Sequence, residues 1–154
     1  MIFVTVGTHI QQFNRLLELV DALPPNIERV VQYGSSTYQV KYGSARRFIE
    51  FDEVLSLMSR AEVVVSHGGV GSIVLALAAG QRPVVAPRLF RFGEHVDDHQ
   101  LEVAEAFARA GKIIPFMPGD ELAARIAEAG RQKAAAAPGP SPELIEFLHR
   151  EIAR

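Results

Sequence analysis

Short β-branched runs alternate along the chain with longer stretches whose apolar positions recur at helical spacing, a pattern that generates a parallel sheet covered by helices. Ile2 to Val6 is the first predicted strand, closed by Gly7. The helix after it carries Phe13, Leu16, Leu17 and Val20 on one face and stops at Pro24-Pro25. Ile27 to Tyr33 is the second strand. Gly34 to Gly43 has no clean period and reads as a loop, after which Arg47 to Phe51 makes a short strand and Asp52 to Arg60 a short helix capped by Asp52. Ala61 to Ser66 contains Val63-Val64-Val65, apolar at consecutive positions, which marks a central strand buried on both faces.

The alternation continues in the second half. A helix runs from Ile73 to Ala79 and closes at Gly80, the strand Pro83 to Ala86 follows, and a loop spans Pro87 to Val96. The next helix has Leu101, Ala104, Phe107 and Ala108 on its inner face. Lys112 to Pro115 is the last strand and Glu121 to Lys133 the helix after it. The expectation is a single α/β domain over 1–134 with up to six parallel strands. A breaker-rich linker follows at 135–142, then an amphipathic helix at 143–154 with Leu144, Ile145, Leu148 and Ile152 roughly on one side.

Composition narrows the function classes. The length of 154 residues suits one domain with a real core. Sixteen Lys and Arg against eighteen Asp and Glu give a formal charge of −2, with no run of like charges, so nucleic acid is not an expected partner. The absence of Cys removes disulfides, thiol nucleophiles and Cys-ligated zinc, in keeping with a cytoplasmic setting. The longest purely apolar run, Ile73 to Ala79, is far shorter than the ~18 residues of a membrane span. Ile2-Phe3-Val4 follows Met1 without the pattern of a signal peptide, so any membrane association is expected to be peripheral and through a partner.

The residues with most chemical content are Ser66-His67-Gly68-Gly69-Val70-Gly71-Ser72, where the central strand gives way to a helix. Ligands bind at that edge of an open α/β sheet. Glycines let the backbone approach an anion, and a helix N-terminus supplies unpaired N–H groups, so a phosphate or diphosphate is the expected ligand. The spacing is neither the dinucleotide fingerprint nor a P-loop, which needs a Lys after the glycines. A second strand-to-helix turn, Val6-Gly7-Thr8-His9, has the same character, and His9 is a candidate phosphate contact or base. A third polar segment is Gly93-Glu94-His95-Val96-Asp97-Asp98-His99-Gln100. His95 and His99 share a face for a metal only if a helix already begins at His95, and no metal is expected.

Taken together, His67-Gly68-Gly69-Val70-Gly71-Ser72, Gly80, Pro83, Pro87 and His99-Gln100 resemble the donor-binding C-terminal domain of glycosyltransferase family 28 and related GT-B enzymes. With Val4 to His9, Phe13, Pro87-Arg88 and Phe92 to Gln100, the chain looks like the small PssE-type subunits of exopolysaccharide glycosyltransferases. Those are similar to the soluble subunit of the eukaryotic dolichol-linked N-acetylglucosaminyltransferase. The resemblance covers Met1 to about Pro115.

The resemblance implies one Rossmann-like domain, equivalent to the donor-binding half of a GT-B enzyme. The acceptor side would be a separate membrane-associated polypeptide that recruits the chain to the inner face of the membrane near a lipid-linked saccharide acceptor. It implies a UDP-sugar donor, no cofactor and inverting transfer. Gly7, Thr8, His67, Gly68, Gly69, Gly71 and Ser72 would hold the diphosphate, Phe48 the nucleoside, and Arg88, Glu94, His99 and Gln100 the donor sugar. Arg88 would suit a hexuronate carboxylate, which makes glucuronic acid a candidate sugar. His9 is the candidate base, with a group from the partner as the alternative. Many relatives carry a Glu that grips the ribose hydroxyls three residues after the turn, but here Leu75 stands there. That departure favours an alternative reading, a non-catalytic accessory subunit that activates a membrane glycosyltransferase. Another nucleotide-sugar enzyme, such as an epimerase, is the third reading.

Overall fold

A computed structural model of the chain describes residues 1–133 together with Pro142, Glu146 and Arg150, which are helical. The remainder of the expected linker and C-terminal helix lies outside the described residues. The elements are β1 (Ile2–Thr5), α1 (Asn14–Asp21), β2 (Arg29–Gln32), β3 (Ser44–Arg46), α2 (Phe51–Arg60), β4 (Val63–His67), α3 (Val70–Ala78), β5 (Val84–Ala86), α4 (His99–Arg109), β6 (Ile114–Pro115) and α5 (Leu122–Lys133). A single 3-10 turn, Phe90–Phe92, interrupts the loop after β5.

All five strand pairings are parallel, and the sheet order is β3-β2-β1-β4-β5-β6. The order reverses between β1 and β4, so the loops leaving these two neighbours diverge to opposite halves of the sheet and open a crevice at their C-terminal ends.

The period of two along each strand explains why both faces of the sheet are covered. Ile2, Val4, Val63, Val65 and Val84 pack with Leu16, Leu17 and Val20 of α1 and Leu122 and Ala129 of α5. The intervening Phe3 and Val64 pack on the other side with Leu57 and Met58 of α2 and Leu75 and Ala76 of α3. Ile73, Val85, Ala104 and Ile113 complete that face next to α4. Each fully buried Leu, Val or Phe contributes roughly 1.5–3 kcal/mol of transfer free energy, which is ample reason for this alternation to override local preference.

Most boundaries shift by a residue or two from the sequence reading, and three differences bear on the site. The third strand is Ser44–Arg46, not Arg47 to Phe51, and it pairs Val31 with Ala45. The Ile49 N–H donates instead to the Gln32 side chain (2.9 Å), which draws the chain off the ladder before α2 begins at Phe51. Asp52 does not cap that helix: Glu50 holds the cap position without a side-chain bond, and Asp52 lies in the first turn, where a carboxylate favours the helix dipole. The third helix begins at Val70 rather than Ile73, taking Gly71 and Ser72 into its first turn.

Candidate functional site

Where β1 and β4 end, a cavity of about 410 Å³ opens, lined by residues of both strand-to-helix turns and of the chain from β2 to α2. Gly7 and Thr8 contribute from the first turn, His67, Gly69, Gly71 and Ser72 from the second, and Thr5 and Gln32 from the strand ends. Ile49, Phe51, Val54 and Leu75 form an apolar wall.

The glycine turn is shaped around one imidazole. Gly7 has φ +76°, and a Cβ on it would stand 2.5 Å from His67 Nε2. A Cβ on Gly69 would stand 2.4 Å from the same atom. Two backbone segments can flank the ring this closely only because neither carries a side chain. His67 is buried, and its Nδ1 has no partner of good hydrogen-bond geometry among the described residues. Burial pushes the imidazole down to about 3, with the Arg88 guanidinium acting in the same direction and the Thr5 backbone opposing only in part. The ring is therefore neutral at physiological pH, with one N–H to donate and one lone pair.

Beside it, Gly69 caps α3 without any side-chain bond. The N–H groups of Val70, Gly71 and Ser72 lie in the first turn, where an α-helix supplies no backbone acceptor. Gly71 and Ser72 line the cavity, so these donors and the positive end of the helix dipole meet at its wall. The β1–β2 side of the cavity is fixed by a chain of bonds: Thr5 Oγ1 accepts from Gly7 N–H (3.1 Å) and Gln32 Nε2 (3.0 Å), and Gln32 Oε1 accepts from Ile49 N–H.

Several expected site residues sit elsewhere. Gly68 does not offer its N–H to a ligand, because that group donates to Gln100 Oε1 (3.1 Å). The same oxygen accepts the Arg88 N–H (3.0 Å), so the carbonyl end of Gln100 is engaged in holding loops. Arg88 is fully buried. Its guanidinium donates to the carbonyls of Val6 (2.7 Å), Gln11 (2.9 Å), Gln12 (3.2 Å) and Glu94 (3.1 Å). Burial lowers it to about 10, with Glu94 pulling the other way, so it keeps its charge as an internal strut, and it does not line the cavity. Glu94, also buried, accepts two bonds from Arg15 and one from the Leu89 N–H. Its carboxylate is engaged by those bonds, and Glu94 does not line the cavity.

Phe48 is half exposed, with Arg47 stacked over its ring, and it is the neighbouring Ile49 that lines the cavity. His99 is exposed at the start of α4 beside Glu102. His9 follows the cavity-lining Thr8, and its ring stacks on that of His95, with centroids 4.6 Å apart and planes at 19°. His95 in turn pairs with Asp97, so His95 and His99 each have an acid beside them and do not face one another as a ligand pair. Among the described residues no three His, Asp or Glu side chains group as a metal-ligand set, and no helix is long and apolar enough to cross a membrane.

Sequence reasoning missed Gln32, Val54 and the Arg15–Glu94 pair. A polar Gln directly after the apolar pair Val30-Val31 was the signal for the first. No local pattern announces the others.

The sequence profile of the glycosyltransferase family 28 C-terminal domain matches residues 1–137. The chain is 34% identical over 130 residues to the UDP-N-acetylglucosamine transferase subunit ALG13 of Yarrowia lipolytica, covering 74% of this chain and 63% of that protein. It is 30% identical over 70 residues to the UDP-N-acetylglucosamine–N-acetylmuramyl-(pentapeptide) pyrophosphoryl-undecaprenol N-acetylglucosamine transferase of a Nostoc species, covering 46% of this chain and 18% of that one. It thus spans less than two thirds of the length of either. Among solved structures, the fold is shared with the glycosyltransferase of kitacinnamycin (TM-score 0.60, 22% identity, 97% of this chain and 38% of that one). It is also shared with the glycosyltransferase SnogD from Streptomyces nogalater (TM-score 0.53, 19% identity, 97% and 43%). With the profile spanning most of its length, this chain belongs to the glycosyltransferase family 28 C-terminal domain family.

Proposed function

We propose that this chain is the catalytic donor-binding component of a two-component inverting glycosyltransferase that uses a UDP-sugar. One observation carries the reading: the unpaired N–H groups of the α3 N-terminus and a neutral, buried His67 face one cavity at the switch point of the sheet. A diphosphate fits such a set because its charge meets oriented donors, and a volume of about 410 Å³ falls within the roughly 300–1,000 Å³ of small-molecule sites. The apolar wall of Ile49, Phe51, Val54 and Leu75 accepts the nucleoside, with Gln32 beside it as a polar contact.

In the reaction, His9 removes the proton of an acceptor hydroxyl and the oxygen attacks the anomeric carbon. The bond from that carbon to the diphosphate breaks, and its electron pair leaves with UDP. Each preorganised donor on the departing charge is worth about 3–4 kcal/mol, and a positioned base adds ~10²- to 10⁴-fold. The likeness to a UDP-N-acetylglucosamine transferase subunit favours N-acetylglucosamine as the sugar. Glucuronic acid loses its main support, since Arg88 is committed to four carbonyls. We assign the acceptor, a lipid-linked saccharide as in exopolysaccharide or capsule synthesis, to a membrane-associated partner that recruits the chain to the cytoplasmic face. Leu75 favours a second reading, an accessory role without turnover, because an apolar side chain stands where relatives grip the ribose with a carboxylate.

Calorimetric titration with UDP, UDP-N-acetylglucosamine, UDP-glucose and UDP-glucuronic acid, on wild type and His67→Ala, tests the site. Binding of UDP that the variant loses is the expected result. Binding without turnover when the partner is present would select the accessory reading, and no binding in either setting would remove the donor site.

A further inference from the structure

We propose that His95 is the positioning residue of His9, clamping the plane of its ring so that the bond to Gln11 holds and Nδ1 is the atom left to take the acceptor's proton. This rests on the assignment of His9 as base. His9 Nε2 lies 2.8 Å from Gln11 Oε1. An amide oxygen only accepts, so Nε2 carries the hydrogen and the lone pair is on Nδ1. Gln11 is itself held, because its backbone carbonyl accepts from the buried Arg88 guanidinium at 2.9 Å. One side of His9 is therefore tied to the rigid interior of the domain.

The other side is closed by the loop after β5. The His95 ring stacks on His9 at 4.6 Å, and His95 Nδ1 is tethered to Asp97 Oδ1 at 3.1 Å. That oxygen also accepts the His99 N–H at 3.0 Å, which anchors the tether to the start of α4. Simple burial does not explain the contact: the adjacent Ile10 and Val96 are 85% and 67% exposed, so the two loops turn imidazoles toward each other and leave aliphatic side chains in water. An unclamped imidazole rotates about its side-chain torsions, and displacement of a reacting group by about 1 Å costs up to ~10²-fold in rate.

The test compares His95→Ala, His95→Phe and His9→Ala. Ring ¹⁵N NMR of the full chain is expected to show one His9 tautomer, protonated at Nε2, in wild type and His95→Phe, and averaging of both tautomers in His95→Ala. Turnover of UDP-N-acetylglucosamine in membranes of the source cells is expected to show kcat lowered roughly ten- to hundredfold in His95→Ala at unchanged donor KM, with the stacking Phe restoring most of it. An unchanged His9 tautomer, an unchanged kcat in His95→Ala, or a Phe variant as impaired as the Ala variant overturns the inference. Full turnover by His9→Ala overturns the base assignment itself, and the positioning role with it.

Discussion

Gln100 holds Gly68: a single side-chain oxygen at the start of α4 accepts the Gly68 N–H at 3.1 Å and, at the same time, the Arg88 N–H at 3.0 Å. The turn after β4 and the loop after β5 are thereby fixed to one atom. A Cβ at Gly68 would sit 2.9 Å from Gln100 Cβ, so the contact also explains why this position is glycine.

Replacing Gln100 by Leu leaves two N–H donors without their acceptor. At about 1–3 kcal/mol for each buried donor left unpaired, the loss is expected to be about 2–6 kcal/mol in urea unfolding. Arg88→Met is expected to cost a similar or larger amount, about 3–5 kcal/mol, because Glu94 and four carbonyls lose a buried cation. A variant of either kind with wild-type stability would refute the strut role and return Arg88 to the list of ligand contacts.

The depressed His67 imidazole makes stability depend on pH. The unfolded ring titrates near 6.5 and the folded ring near 3, so between those values the unfolded chain binds the extra proton. Stability from this group is complete above about pH 6.5 and is lost as pH falls toward 3, with a slope of at most about 1.4 kcal/mol per pH unit. Unfolding free energies of wild type and His67→Gln, measured from pH 7 to pH 4, are expected to converge as the pH falls. Parallel curves would show that the folded ring titrates normally.

Adding a methyl group to either glycine beside His67 tests the shaping of the turn. Gly69→Ala is expected to displace the imidazole and abolish UDP binding in calorimetry. Gly7→Ala adds left-handed strain at φ +76° to the same clash and is expected to be the less stable of the two, by about 1 kcal/mol or more. Wild-type UDP affinity in Gly69→Ala would mean that the ring position does not matter to the ligand.

The nucleoside wall separates two neighbours. Phe48→Ala is expected to leave UDP affinity almost unchanged, since the ring lies outside the cavity under Arg47. Ile49→Ala opens the wall and is expected to weaken UDP binding by roughly ten- to hundredfold, in keeping with about 1–3 kcal/mol for apolar groups removed from a pocket. The reverse order of effects would restore Phe48 as the nucleoside contact.

The order of strands and helices was legible in the sequence because periodicity is local: Val63-Val64-Val65 must be buried on both faces, and Phe13, Leu16, Leu17 and Val20 must share one. The two glycine turns were legible too, since strand-Gly-helix junctions place a ligand edge by topology alone. What only the tertiary structure decided was the fate of the charges and the choice between neighbours. Arg88 and Glu94 look like surface contacts until Val6, Gln11 and Arg15, remote in the chain, are brought to meet them. Ile49 rather than Phe48 faces the cavity because Gln32, at the end of β2, captures its N–H. A side chain's burial is set by partners across the fold, and no local pattern records which ones arrive.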